Sequence, residues 1–216
     1  MYLEKFRLDG KTAVITGGSR GIGREIALAY AEAGANVVVA SRKLPDLEKV
    51  VAEITDRGGR GMAVAAHAGR MDDLKNLIDE TVGAFNGVDI LVNNAAINPV
   101  FGPVESMDEA LFDKMIDVNV KACLFLSTIA LPSMEEKGGG VIVNIASVEG
   151  FSPSFGTGVY NITKAAVAFG DVVAIADVDR EVAEKAKADF GGKADLYEDY
   201  RKLLDRKDVD VVMIGS

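Results

Sequence analysis

The chain predicts an α/β fold, a doubly wound parallel sheet with helices on both faces. Three observations point to it. Apolar, β-branched runs alternate with amphipathic helical stretches; the runs are apolar throughout, as burial on two faces requires; and the first run enters a glycine-rich turn that opens the first helix. Thr12 to Thr16 is the first strand, and Gly21 to Ala33 follows with apolar residues at helical spacing and Gly34 placed to end it. Val37 to Ala40 is the second strand, and a charged amphipathic helix runs from Leu44 to Arg57. A strand over Met62 to Ala66 precedes a helix from Asp72 to Phe85, and Asp89 to Asn93 is the fourth strand. A long helix through Met115 to Met134 leads to the fifth strand, Val141 to Ile145. The tail continues with a strand at Val172 to Ala176, helices at Arg180 to Phe190 and Tyr200 to Arg206, and a last strand at Val211 to Ile214. These tail strands are expected to supply two positions beyond the fifth. Parallel strands need crossover connections, and the intervening helices supply them.

The composition bounds what such a fold could serve. The 216 residues fit a single domain, and 49% apolar with 26% charged residues is the balance of a globular chain. A net charge of −9 argues against general affinity for nucleic acid or an anionic membrane, while leaving room for a local basic pocket. The one cysteine, Cys123, lies in an apolar run and is expected to pack rather than react. No charged-then-apolar leader opens the chain, and no uninterrupted apolar run approaches the ~18 residues of a membrane span. A cytoplasmic protein is expected, with no membrane or nucleic-acid partner. No metal site is implied.

Between the first strand and first helix stand Gly17, Gly18, Ser19, Arg20, Gly21, Ile22 and Gly23. Backbone N–H groups at a helix start carry partial positive charge and lack partners, so they can hold a pyrophosphate; glycine admits the close approach. The spacing departs from the G-x-G-x-x-G fingerprint, and such turns also serve only to reverse a chain. Its place after a strand and before an amphipathic helix favours nucleotide binding. The second strand ends Ala40, Ser41, Arg42, Lys43, with no carboxylate to grip a ribose 2′-hydroxyl. Arg42, with Arg20 in the loop, instead offers forked donors to a phosphate, so NADP(H) is preferred over NAD(H). The alternative makes Arg42 and Lys43 a solvated turn.

Ser147 follows the fifth strand, and the four-residue spacing of Tyr160 and Lys164 puts both on one helix face. A free phenol releases its proton near pH 10. A neighbouring cation favours the phenolate and makes such a tyrosine usable as an acid or base, and Ser147 could donate to an oxygen where negative charge develops. A Tyr-x-x-x-Lys pair alone means little.

Thr16 to Gly23, Asn93-Asn94-Ala95-Ala96, Asn119, Ser147, Tyr160 and Lys164 together, in this order and at these intervals, resemble the short-chain dehydrogenases/reductases, over roughly residues 8–169. The resemblance implies a Rossmann-like fold and hydride transfer between a nicotinamide cofactor and a small carbonyl or alcohol. It makes Tyr160 the proton donor and acceptor. Lys164 would bind the nicotinamide ribose, Ser147 would position the carbonyl, and Asn119 would hold a water linking Lys164 to solvent. Asn93, Asn94 and Ala95 would line or fix the adenosine side. His67 stands where the family usually has an aspartate accepting from the adenine amine, and it is expected to supply an acceptor in its place. The resemblance further implies a homo-oligomer joined through the helices around Asn119 and Tyr160, the second of them short here.

After Phe169 the pattern changes. Residues 171–214, with Asp177 at a strand end, resemble the second to fourth strands of the nucleotide-binding domain in the glucose–fructose oxidoreductase and inositol dehydrogenase family. The chain therefore resembles a recombined or engineered join of two fragments, the alternative being a divergent natural chain with a shortened end. Three functional readings stand open: an active NADP(H)-dependent oxidoreductase, a dinucleotide-binding fold without turnover, and a fold that binds nothing.

Overall fold

The β-branched runs become strands whose backbones pair in parallel, in a computed structural model that describes residues 6–168, 174–176, 184, 195–197 and 211–214. The strands are β1 (Thr12–Thr16), β2 (Asn36–Ser41), β3 (Arg60–Ala65), β4 (Ile90–Asn93), β5 (Val141–Ile145), β6 (Ala174–Ala176), β7 (Asp195–Tyr197) and β8 (Val211–Ile214). The helices are α1 (Gly21–Glu32), α2 (Leu44–Asp56), α3 (Met71–Phe85), α4 (Glu109–Ile116), α5 (Ala122–Glu136) and α6 (Gly158–Ala168). Each of the first five strands and first three helices lies within a few residues of its predicted position. The long helix differs: it begins earlier, at Glu109, and carries a π-helical turn over Asp117–Lys121 between α4 and α5.

The chain divides into two compact units, Met1–Ala168 with Met213–Ser216, and Phe169–Val212. In the first, the sheet order is β3-β2-β1-β4-β5-β8, the edge position beside β5 being held by β8, of which Met213 and Ile214 belong to this unit. In the second, β6 and β7 form a parallel pair with Ala174 opposite Asp195 and Ala176 opposite Tyr197. Only one of the two tail strands expected beyond β5 is therefore in the six-stranded sheet; of the other, expected at Val172 to Ala176, the described residues Ala174–Ala176 pair with β7 instead. β7 was not anticipated from the sequence, because three residues beginning with Asp195 show neither alternation nor an apolar run. The expected helices at Arg180 to Phe190 and Tyr200 to Arg206, and Asp177, lie outside the described residues apart from Glu184.

Alternation along the strands builds two core layers. Ala13, Ile15, Val37, Val39, Val92 and Ile145 face α1 and α2, where Ala27, Leu28, Leu47, Val50 and Ile54 meet them. Val14, Val38, Ala40, Val64, Leu91 and Ile142 point the other way, onto Leu74, Leu77 and Ile78 of α3 and Ala122, Leu126, Ala130 and Met134 of α5. Each such aliphatic side chain contributes on the order of 1.5–3 kcal/mol by leaving water. Two-sided burial is the reason these strands read as unbroken apolar runs.

Joined end to end, α4, the π-turn and α5 form one 28-residue helix, Glu109–Glu136, with an 18-residue window of mean hydropathy 1.4. By length and composition it could cross a membrane, which corrects the expectation from uninterrupted apolar runs alone. Its buried Met115, Leu126, Ala130 and Met134 are spaced as a core helix requires.

The strand order reverses at β1, with β2 and β3 on one side and β4 and β5 on the other. At such a reversal the loops leaving the carboxyl ends of neighbouring strands diverge and open a crevice, where open α/β sheets bind ligands.

Candidate functional site

The loop after β1 is shaped by contacts that exclude side chains. Gly17 has φ +68, and a Cβ there would fall 2.7 Å from Asn94 Nδ2 and 3.1 Å from Ala95 Cα. A Cβ on Gly23 would fall 2.5 Å from both Asn94 Nδ2 and the Gly17 carbonyl. The loop is stitched to β4: Asn94 Nδ2 donates to the Thr16 carbonyl at 2.9 Å, and the N–H groups of Asn94 and Ala95 donate to Thr16 Oγ1, each at 3.0 Å. The Gly17 N–H donates to Ala40 O at 2.8 Å, tying the loop to the end of β2 as well. At the start of α1, Arg20 occupies the capping position without a side-chain hydrogen bond, and no carboxylate lies in the first turn. A helix start with uncapped amides and a glycine floor fits a pyrophosphate.

From this cradle a cleft of about 430 Å3 extends along the strand ends. Gly17, Ser19, Arg20, Gly21 and Ile22 line it at the loop, Ser41 and Arg42 at β2, His67 beyond β3, and Ala95 beyond β4. Among the described residues its lining contains no Asp or Glu. Arg20, Arg42 and Lys114 give it three exposed cations in a chain of net charge −9. Lys114, from α4, was not anticipated; one lysine on a charged helix carries no sequence signal.

Four predicted cofactor residues are outside this lining: Tyr160 and Lys164, which stand on α6 at the end of β5, and Gly23 and Asn93. Gly23 is buried beneath the loop, where its lack of a Cβ permits the crossing of Gly17 and Asn94. Asn93 is 3% exposed and outside the lining; its Nδ2 donates to Asn144 Oδ1 at 2.8 Å and Ser127 Oγ at 3.1 Å, joining β4 to β5 and α5. Adjacent strand residues face opposite sides of the sheet, so Asn94 rather than Asn93 reaches the loop. His67 is also corrected. Its Nδ1 already accepts the Gly69 N–H at 3.0 Å, so the neutral ring presents a donor, not the acceptor expected of it.

Ser147, Tyr160, Lys164 and Asn119 stand at the ends of β5, α6 and the π-turn. Ser147 is buried, and its Oγ accepts the Glu149 N–H at 3.3 Å, which leaves its own hydrogen to donate. Lys164 is 5% exposed, its Nζ donates to Ile145 O at 2.7 Å, and it stands 5.8 Å from the centre of the Tyr160 ring. Burial pushes the Lys164 ammonium below its ordinary value, against an opposing pull from Cys123. Asn119 is committed in the π-turn: it pairs with Ile97 through both main-chain groups, at 2.8 and 2.9 Å, and donates to Thr163 Oγ1 at 3.0 Å. It thus fixes α6 one residue before Lys164. Burial pushes the Cys123 thiol up to about 11, partly offset by Lys164, so it stays protonated at neutral pH, as packing rather than reactivity predicts.

Two further residues position this group. Glu149 accepts from Ser154 N–H and Oγ and from Thr157 Oγ1, at 2.8–3.0 Å; these bonds hold its carboxyl below the ordinary range and brace the loop before α6. Gly150 packs against the backbone of α6, where a Cβ would fall 2.8 Å from Lys164 C and 2.9 Å from Ala165 N. Gly150→Ala must therefore displace the helix carrying Tyr160 and Lys164. Any turnover that depends on these two side chains should fall roughly tenfold or more, as misplacement of reacting groups by a fraction of an ångström costs, while nucleotide binding in the glycine cradle, measured by titration, should change far less.

A carboxyl-edge cradle of this kind, with a buried lysine beneath a phenol, is the arrangement of dinucleotide-dependent oxidoreductases. Residues 11–176 match the family model described as short chain dehydrogenase, and this chain belongs to that family. It is 38% identical over 160 residues to dehydrogenase/reductase SDR family member 4 of Oryctolagus cuniculus, covering 74% of this chain and 62% of that one. The chain thus spans about three-fifths of the length of the curated relatives it matches. Among solved structures, it resembles a 7α-hydroxysteroid dehydrogenase complexed with NADH and 7-oxo glycochenodeoxycholic acid (TM-score 0.74, 31% identity, 98% of this chain and 71% of that). It also resembles a metagenomic short-chain oxidoreductase complexed with NADP (TM-score 0.74, 29% identity, 96% and 82%).

Proposed function

We propose that the chain is an NADP(H)-preferring oxidoreductase that interconverts a small carbonyl compound and its alcohol. The observation that carries this reading is the buried Lys164 held by Ile145 O and set against the Tyr160 ring, on the sheet edge that bears the glycine cradle. The nicotinamide, when bound, supplies or receives the hydride. Ser147 donates its hydroxyl hydrogen to the substrate oxygen, and Tyr160 hands that oxygen its proton as negative charge develops. Lys164 stabilises the resulting phenolate, and Asn119, through its bond to Thr163, holds the helix that carries both. The family's small-molecule chemistry sets the substrate class; the steroid of one structural neighbour offers a starting compound for assay. NADPH consumption against a panel of ketones and aldehydes tests the reading. Turnover above background supports it, and saturable NADPH binding without turnover would favour the binding-only alternative.

The preference for NADP(H) rests on Arg42 and on a cleft whose described lining holds no carboxylate, since relatives of known structure carry either cofactor. Arg42→Asp should weaken NADPH by roughly tenfold or more and NADH much less, because a carboxylate repels the 2′-phosphate and accepts from a 2′-hydroxyl. An unchanged ratio of the two dissociation constants, measured by fluorescence titration, would count against it. A homo-oligomer belongs to the same proposal: Leu124 and Phe125 on α5 and Ile162 on α6 are exposed. So do cytoplasmic residence, the lack of a membrane or nucleic-acid partner, and action of the whole chain as one domain. The relatives named above lend no support to a second-family origin of residues 170–216, and the family model runs past that junction to residue 176. It stays a proposal from sequence pattern alone.

A further inference from the structure

The strand order fixes which part of a dinucleotide meets which residues. Moving outward from β1, a pyrophosphate in the cradle puts its adjoining sugar at the end of β2, by Ser41 and Arg42. The base then lies beyond β3, among Ala66, His67, Ala68, Leu74 and Leu77. The aliphatic residues can sandwich an aromatic ring, and among these five His67 has the one side chain able to form a hydrogen bond.

His67 is held at three points. Its N–H donates to Asp73 Oδ2 at 2.7 Å, its carbonyl accepts the Arg70 N–H at 2.8 Å, and its Nδ1 accepts the Gly69 N–H at 3.0 Å. Gly69 is part of the device, since a Cβ there would press on the ring, 3.2 Å from Cε1 and 3.3 Å from Nδ1. A backbone amide can only donate. Nδ1 is therefore a lone-pair acceptor, and the neutral imidazole carries its hydrogen on Nε2. Asp73 is spent on the His67 amide, and neither it nor Asp72 is in the cleft lining.

On the reading of the cleft as a dinucleotide site, we propose that its base end selects a hydrogen-bond acceptor on the purine and does not read the exocyclic amine. Nε2–H donates to a ring nitrogen of adenine or equally to the 6-oxo oxygen of hypoxanthine. Removing the amine from the cofactor then costs nothing at this site, whereas a carboxylate in the same place would demand it.

The test is fluorescence titration of the full chain with NADPH and with its deaminated analogue, reduced nicotinamide hypoxanthine dinucleotide phosphate. The wild-type chain should bind the analogue within about threefold of NADPH or more tightly. His67→Ala should weaken both by roughly three- to tenfold, the weight of one hydrogen bond. His67→Asp should create a preference for NADPH over the analogue of about tenfold, with thermal melts confirming that both variants fold. A tenfold or greater preference of the wild-type chain for NADPH would overturn this inference alone, as would unchanged affinities in a folded His67→Ala. Failure of either nucleotide to bind the wild-type chain would overturn the cofactor reading and this inference with it.

Discussion

Tyr160→Phe, the loss of one oxygen atom, should lower ketone reduction by on the order of a thousandfold, within the range that a positioned acid or base supplies. The ring keeps its place on α6, and Lys164 keeps its bond to Ile145 O, because neither depends on the phenol. On the proposed function, what disappears is the proton donor at the substrate oxygen, where Ser147 would offer a hydrogen bond but no efficient transfer. NADPH affinity should fall by at most about tenfold, the weight of one neutral hydrogen bond. Single-turnover rates and direct titration separate the two effects. Equal background rates in the wild-type chain and the variant would remove the redox assignment.

The second large effect is on stability, at the opposite end of the strands. Asp89, 4% exposed just before β4, accepts the Thr12 N–H at 2.9 Å and pairs with Lys137 at 2.8 Å and Lys11 at 3.1 Å. Burial alone would raise its carboxyl, but Lys137, the Thr12 amide and Lys11 together bring it below the ordinary value. Asp89→Asn keeps an acceptor for Thr12 but leaves two ammonium groups facing a neutral amide. We expect a loss of about 2–3 kcal/mol, less than for a fully buried pair because Lys11 is half-exposed. For a chain of this size that is a fall in Tm of roughly 5–10 °C. Since the folded carboxyl titrates below the unfolded one, its contribution is complete above the ordinary carboxylate range and is lost as pH falls through the folded value. The Tm gap between the wild-type chain and Asp89→Asn should therefore be full at neutral pH and close in acid. A gap that persists unchanged in acid would show that charge is not its cause.

Most of the sheet was legible because two-sided burial writes itself as runs such as Val37 to Ala40, and the helices on either side as periodic faces. The cradle was legible because glycine is demanded wherever a Cβ collides, as at Gly17 and Gly23. Other parts left no local mark. Thr16 and Asn94 meet across 78 residues of sequence, and which of two consecutive asparagines turns towards the loop depends on strand register. The requirement for Gly150 comes from a helix packed against it in space, and the direction of His67 from a single amide two residues on. The π-turn likewise shows itself in Asn119 only through bonds to Ile97 and Thr163, which no periodicity contains. β7 is too short to carry a pattern at all.

The stitching of Thr16 and Asn94 bears on how a ligand would be received. Because side chain and amide bonds weld the glycine turn to the neighbouring strand end, the pocket floor is preorganised. A newcomer finds the amides already aimed and little backbone left to order. Association should accordingly proceed in one kinetic phase, and loosening the weld with Asn94→Ala, which removes the Nδ2 bonds but keeps the two amide bonds to Thr16 Oγ1, should slow capture and add an entropic penalty.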